Sequence, residues 1–274
     1  MPRLTALSSL LLVAALAGCA TTQPRPDTSI KTSSVVAPEG RKHAGEDDTV
    51  QTASFGGWHH LAGRTLTVSS LSELKLDRKE VILSFDDGPI PGRTDKVLAT
   101  LDQFGVKGAF MMVGEMAAAH PALARKVAMD GNAIGSHTYD HPDLAKMSFD
   151  AAMEEVTKGT LAVTKATGED VNFFRFPYLA DSRKLRAAVS MRDMIIMDAD
   201  VDSKDYFNTT PVAVTQRIMK DLDRRGRGII LMHDIHKRTA IMLPTLLSKL
   251  EAEGYKVVTL KFKKAHAPMV VASL

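Results

Sequence analysis

The chain has 274 residues, 45% of them hydrophobic and 24% charged, with a formal net charge of +3. This is ordinary globular composition, and the length allows one large domain or two small ones. The charge is mild and no Lys/Arg block exceeds three residues, so nucleic-acid binding has little support and only a weak attraction to an anionic polymer such as a cell wall stays open.

At the N-terminus, Arg3 precedes an apolar run from Leu4 to Gly18, broken by Thr5, Ser8 and Ser9. The run is shorter than the roughly 20 residues of a spanning helix. It has the length of a signal-peptide core and ends in small residues. Cys19, the sole cysteine, follows at once. Leu16-Ala17-Gly18-Cys19 resembles the lipobox of bacterial lipoproteins. The resemblance implies cleavage before Cys19 and its lipidation, giving an anchored rather than a spanning chain. A simple secretory signal with a chance cysteine is the alternative. No thiol is then left for an internal disulfide, so the chain must fold by its core.

Residues 19–77 read as a tether and lead-in. The first part is rich in Thr, Ser, Pro and charge; Trp58 and Leu66–Val68 could supply a lead-in strand. His59-His60 reads as a solvated loop rather than a metal pair, because adjacent side chains diverge. From residue 78 to 263 the pattern is regular. β-rich runs cover Val81–Phe85, Gly108–Val113, Ala133–Ser136, Phe173–Phe176, Met194–Met197, Gly228–Met232 and Lys256–Leu260. Between them lie amphipathic stretches: Thr94–Phe104, Pro121–Met129, Phe149–Thr167, Ser182–Val189, Pro211–Arg225 and Thr239–Glu253. Gly105, Gly131, Gly168, Gly226 and Gly254 stand where helices should stop. Seven strands alternating with helices imply a parallel α/β sheet, either a barrel or an open doubly wound sheet. Residues 264–274 form a C-terminal tail.

Five of the seven runs end in polar clusters. The first ends in Asp86-Asp87-Gly88-Pro89, which alone would suit any tight turn. The third ends in His137-Thr138-Tyr139-Asp140-His141, two histidines four apart that can converge on one ion. With a carboxylate from another strand end they would make a two-His, one-carboxylate site with open positions. Arg175 stands inside an apolar run, where it is costly unless paired; a buried carboxylate such as Asp86 would pair it, and a strand-end arginine reaching solvent is the alternative. Asp198, Asp200, Asp202 and Asp205 alternate with other residues, but the glycine and distal glutamate of a calcium loop are missing. His233-Asp234 closes the sixth run. Active sites of parallel sheets and barrels form at strand C-termini, so the coincidence points to one metal site flanked by a base, an arginine and a second histidine. His43, His120, His236 and His266 show no such placement and read as surface.

These motifs, in this order, resemble the polysaccharide deacetylases of the NodB-homology type, carbohydrate esterase family 4. Ser84–Pro89 resembles Thr-Phe-Asp-Asp-Gly-Pro, His137–His141 resembles His-Ser/Thr-x-x-His, and Arg175–Tyr178 resembles Arg-x-Pro-Tyr. Asp202–Tyr206 resembles Asp-x-x-Asp-Trp, and Leu231–His233 resembles Leu-x-His. The resemblance implies a distorted (β/α)7 barrel. It implies a divalent metal, usually zinc, on Asp87, His137 and His141. Asp86 would be the general base, held and kept charged by Arg175. His233 would be the general acid, with Asp202 paired to it and favouring its protonated form. The Tyr178 backbone amide would stabilise the oxyanion, Leu231 would touch the acetyl methyl group, and Tyr206 would supply an aromatic wall. Three positions depart from the family pattern: Ser84 for Thr, Leu179 where glycine is common, and Tyr206 for Trp. The last two bear on substrate preference.

The implied activity is removal of N-acetyl groups from an envelope or extracellular polysaccharide: peptidoglycan, poly-N-acetylglucosamine or chitin-like oligomers. O-acetyl esterase action on xylan-like glycans is an alternative. So is a non-catalytic carbohydrate-binding relic, which would be expected to lose Asp86 or His233 first. Other barrel amidohydrolases begin with His-x-His where this chain has Asp-Asp, and a purely structural lipoprotein would leave the strand-end cluster unexplained. Export with a lipid anchor places the chain in the cell envelope. In a Gram-negative cell, Ala20 after Cys19 favours the outer membrane facing the periplasm.

Overall fold

The computed structural model describes residues 60–264. The signal run, Cys19, the tether, His43, Trp58, His59 and the tail from residue 265, with His266, lie outside the described residues.

Among the described residues nine strands all pair in parallel: β1 (Ala62–Val68), β2 (Glu80–Asp86), β3 (Ala109–Met112), β4 (Ala133–Ser136), β5 (Phe173–Phe174), β6 (Ile195–Ile196), β7 (Val201–Asp202), β8 (Gly228–His233) and β9 (Lys256–Phe262). Seven α-helices of the described residues connect or flank them: α1 (Thr94–Gln103), α2 (Gly114–Ala119), α3 (Pro121–Met129), α4 (Phe149–Thr167), α5 (Arg183–Ser190), α6 (Pro211–Arg225) and α7 (Lys237–Ala252). The seven sequence-predicted strands are present. β1 and β7 add to them, and α2 is a six-residue helix too short to show a period. The helices start and stop for local reasons. Ser148, Ser182 and Thr210 cap α4, α5 and α6 by accepting a backbone N–H, and Gly168 and Gly226 end α4 and α6 in the left-handed conformation.

One ladder runs β7-β8-β2-β3-β4-β5-β6, and β9 with β1 joins at the start of β2. Among the described residues no ladder joins β6 to β7, so the barrel is open by hydrogen bonds at that seam. Its curvature shows in the packing. Ile82, Met111, Ala133, Phe173, Ile195, Ile229 and Val258 come from seven strands, with β6 on one side of the seam and β8, the neighbour of β7, on the other, yet they form one buried cluster. Their neighbours along each strand, such as Val81, Phe110, Phe174, Ile196 and Ile230, pack in a second cluster with the helices. Burial on both faces explains why the strands read as continuous apolar runs instead of alternating ones.

Period two then dictates the top of the barrel. Counting inward-facing positions from the cluster gives 82-84-86, 133-135-137, 173-175, 195-197 and 229-231-233. Asp86, His137, Arg175, Leu231 and His233 therefore all fall on the inward register at strand C-termini.

Helix α4 braces this end. A Cβ on its buried Gly159 would stand 2.2 Å from the carbonyl carbon of Thr138, so the helix lies directly on the backbone that carries His137 and His141. Gly159→Ala should cost about 1–3 kcal/mol, although alanine favours an isolated helix by about 1 kcal/mol. Urea unfolding checks this; an unchanged or raised midpoint would contradict the close approach.

Candidate active site

The inward positions open into a cleft of about 350 Å³ lined by Asp86, Asp87, His137, His141, Arg175, Phe176, Tyr178, Leu179, Asp202, Tyr206, Leu231 and His233. All the sequence-predicted site residues except Cys19, outside the described residues, thus meet at one place.

The parallel register of β2 and β8 sets Asp86 directly beside His233. Asp86 is 2% exposed. Its Oδ1 accepts Arg175 Nη1 at 2.6 Å. The same Nη1 donates to Ser84 Oγ at 2.9 Å, and Nε donates to the Met197 carbonyl at 2.8 Å. A buried guanidinium demands such acceptors. The serine that replaces threonine keeps its hydroxyl in this network by donating to the Ile230 carbonyl.

Asp87 follows Asp86 and would point toward the helices in a regular strand. Its left-handed backbone, φ 77°, turns the carboxylate to two imidazoles instead. Asp87 Oδ1 lies 3.6 Å from His137 Nε2 and 3.4 Å from His141 Nε2. That oxygen is buried without a hydrogen-bond partner, an expensive state for a carboxylate. His137 Nδ1 lies 2.8 Å from the Arg175 carbonyl; donation to that carbonyl directs Nε2 at the site. Burial pushes the His137 imidazole below its usual range, against the pull of Asp86 and Asp87, and so favours the neutral form that ligates metals. Ligands about 2.1 Å from a tetrahedral zinc stand about 3.4 Å apart. The trio therefore fits a divalent cation, and its donor atoms all lie within 4.8 Å of one another.

The loop that carries the histidines is tied on both sides. The first two N–H groups of α2 donate to the Thr138 and Tyr139 carbonyls, while Glu155 of α4 accepts the Tyr139 and Asp140 N–H groups. Thr138 and His141 are left-handed, at φ 67° and 64°.

One expected pairing is corrected. His233 is partnered by Asp205, not Asp202. Asp205 Oδ1 lies 2.7 Å from His233 Nδ1, and its Oδ2 accepts the His233 backbone N–H and the Thr239 hydroxyl. The cause is register. Asp202 sits opposite Leu231 on β8, two residues short of His233. The chain then reverses through Lys204, φ 53°, and brings Asp205, fully buried, under the strand end. Asp202 instead accepts the Tyr206 hydroxyl at 2.9 Å. Burial, then this bond to Asp202, pushes Tyr206 up to about 12. Burial works against a charged His233, but the hydrogen bond and charge of Asp205, with Asp86 and Asp87 beyond, push it up to about 9. His236, read from sequence as surface, is half-buried behind His233 with ring centroids 5.7 Å apart. The other aspartates of the run go elsewhere: Asp198 to Arg186 and Asp200 to the Ile229 N–H. His60 is exposed.

The mouth is apolar. Tyr178 and Leu179 are both left-handed and both exposed, Tyr178 by 69%. The Tyr178 ring meets His141 edge-on, and Tyr206 meets His233. Phe207, which the sequence reading passed over, is exposed against Tyr206; its place next to the motif was the available signal. Asp234, which in the sequence only follows His233 at the end of a run, also takes a defined place. It is buried, and burial pushes it up to about 7.

Comparison with known proteins places this arrangement. The family profile described as "Polysaccharide deacetylase" matches residues 73–194. A peptidoglycan-N-acetylglucosamine deacetylase of Listeria monocytogenes is 34% identical over 182 residues, 66% of this chain and 38% of that protein; the chain thus spans about four tenths of the length of this curated relative. A family 4 carbohydrate esterase from Streptomyces lividans, solved with acetate, is 30% identical over 65% of this chain and 91% of that one, with a TM-score of 0.60. A peptidoglycan deacetylase of Bdellovibrio bacteriovorus superposes with a TM-score of 0.67 at 31% identity, over 76% and 61% of the two chains.

The His233 assignment has a direct test. In an NMR pH titration its imidazole should titrate near 9. Asp205→Asn should drop it to about 6.5 or below, since burial then acts unopposed, whereas Asp202→Asn should leave it nearly unchanged. The reverse pattern would restore Asp202 as the partner.

Proposed function

We propose that this chain, which belongs to the polysaccharide deacetylase family, hydrolyses the N-acetyl groups of an amino-sugar polysaccharide. One observation carries the reading: Asp86 and His233 stand side by side in register, each with its own buried partner, Arg175 for the carboxylate and Asp205 for the imidazole. A hydrolytic amide cleavage needs a base and an acid as two distinct groups, and this pair supplies them. A relic that only binds sugar has no need of two separately supported proton-transfer groups.

Asp87, His137 and His141 would hold the divalent metal, most simply zinc. When bound, it supplies Lewis acidity toward the carbonyl and makes water a better nucleophile. Asp86 Oδ2 is the oxygen left free by Arg175, and it takes the proton from the attacking water. The developing oxyanion receives the Tyr178 backbone N–H. Leu231, on the inward register two residues before the acid, bounds the space for the acetyl methyl group. His233, protonated at neutral pH, passes its Nε2 proton to the departing nitrogen, and Asp205 stabilises the charged ring meanwhile.

Relatives are named for peptidoglycan N-acetylglucosamine and for chitin. We assign this chain an envelope glycan of the same chemistry, peptidoglycan or poly-N-acetylglucosamine first. The Leu16–Cys19 junction supports a reading of the chain as an exported lipoprotein of the envelope. Labelled palmitate should enter the full chain and not Cys19→Ala; equal labelling of both would end that part of the reading.

Acetate release from N-acetylglucosamine oligomers and purified peptidoglycan tests the chemistry. Release should need added metal and stop with a chelator, and Asp86→Asn should lower it by about 10²–10⁴-fold. Because the acid must be protonated, activity should fall as pH rises through about 9. A folded, zinc-loaded protein that releases no acetate from any acetylated glycan would overturn the assignment.

A further inference from the structure

Asp234 follows the acid directly, yet the mechanism does not use it. It is 1% exposed. Its Oδ1 accepts the Gly88 N–H at 3.0 Å, and its Oδ2 accepts the Thr94 hydroxyl at 2.6 Å. Thr94 Oγ1 in turn accepts the Ile90 N–H at 2.8 Å. One carboxylate at the end of β8 thus ties down the turn that leaves β2, together with the first residue of α1. The fit leaves no slack: a Cβ at Gly88 would stand 2.2 Å from the Asp234 carboxylate, so the contact exists only because residue 88 is glycine.

The tie acts one peptide away from Asp87. Strand alternation would send the Asp87 side chain toward the helices, and the left-handed backbone at φ 77° sends it to His137 and His141. Such a conformation in a residue other than glycine costs about 1–3 kcal/mol and persists only where the surroundings enforce it. Three bonds do so here. The Asp87 N–H donates to the Met111 carbonyl at 3.2 Å, the Gly88 carbonyl accepts the Val113 N–H at 3.2 Å, and Asp234 takes the Gly88 N–H. The first two come from β3 and its end; Asp234 is the one side chain among them.

We infer that Asp234 is a positioning residue for the metal centre: by fixing the Asp87–Gly88 peptide in its left-handed turn, it holds the Asp87 carboxylate on the two imidazoles and so sets affinity for the divalent cation. This rests on the metal-binding reading of Asp87, His137 and His141. Asn at 234 can keep the arrangement, its amide oxygen accepting from Gly88 and its NH2 donating to Thr94 Oγ1. Ala cannot.

The test is zinc affinity of the full chain at equilibrium, by competition with a chromogenic chelator, on proteins shown to be folded by circular dichroism. Wild type should bind one zinc, and Asp87→Ala should not. Asp234→Ala should weaken binding by about 10–100-fold, Asp234→Asn should stay near wild type, and Thr94→Val, which removes half of the tie, should fall between. If Asp234→Ala does not fold, the Thr94→Val and Asn arms decide. Wild-type affinity in Asp234→Ala or, failing that, in Thr94→Val, even with a lowered Tm, would reduce Asp234 to a purely structural role and overturn the inference. So would Asp234→Asn binding as weakly as Ala or, where Ala does not fold, as weakly as Thr94→Val. Absence of zinc from the wild type would instead overturn the metal reading itself, and this inference with it.

Discussion

The buried guanidinium of Arg175 is the constraint around which the rest is arranged. At 1% exposure it cannot stay charged in an apolar interior without acceptors on every side. It finds them on Asp86, Ser84 and the Met197 carbonyl. These belong to β2 and to the end of β6, so one side chain from the end of β5 reaches across the barrel past β3 and β4. Removing one member of such a pair typically costs about 3–5 kcal/mol, because the other is left charged and dry. The arginine also sets direction. By taking Asp86 Oδ1 it leaves Oδ2 facing His137 Nε2 at 3.7 Å. Its own carbonyl orients that same histidine.

Around this fixed point the chain departs from regular geometry where side chains must leave the strand's alternation. Asp87, Thr138, His141, Tyr178 and Leu179 are all left-handed, and all but Thr138 line the cleft. Helix packing supports the histidine turn, and a side chain at the end of β8 supports the turn at Asp87. The N-terminus of α2, Glu155 of α4 and the close approach of Gly159 hold the histidine loop, and Asp234 holds the turn after Asp87. The outer helical layer thereby stabilises loops that would otherwise relax.

Charge is divided between the two halves of the cleft by burial and pairing. Near β2 a carboxylate faces a permanent cation. Near β8 an imidazole faces a carboxylate, Asp205, which the histidine holds below the usual carboxylate range despite its burial. Above both lies an apolar rim in which Tyr178 touches His141 and Tyr206 touches His233. A sugar ring entering there would meet one aromatic edge beside each half of the chemistry.

The amino-acid sequence by itself determined the parallel α/β class, the seven principal strands, six of the helices and the neighbourhood of the site. These follow from local causes: apolar runs of strand length, helical periodicity closed by Ser, Thr and Gly, and polar residues at strand ends. Asp86, His137, Arg175 and His233 were legible because each breaks an apolar run at or near its C-terminal end; the period of two explains why all four then face inward. Tertiary structure decided what depends on how strands meet. Asp202 and Asp205 are equivalent by composition, and only the register of β7 on β8, with the reversal at Lys204, puts Asp205 under His233. β7 and α2 are too short for any period to reveal. The tie from Asp234 to Gly88 and Thr94 joins residues 146 and 140 positions apart. No local pattern encodes such contacts, because the packing of β8 against β2 creates them.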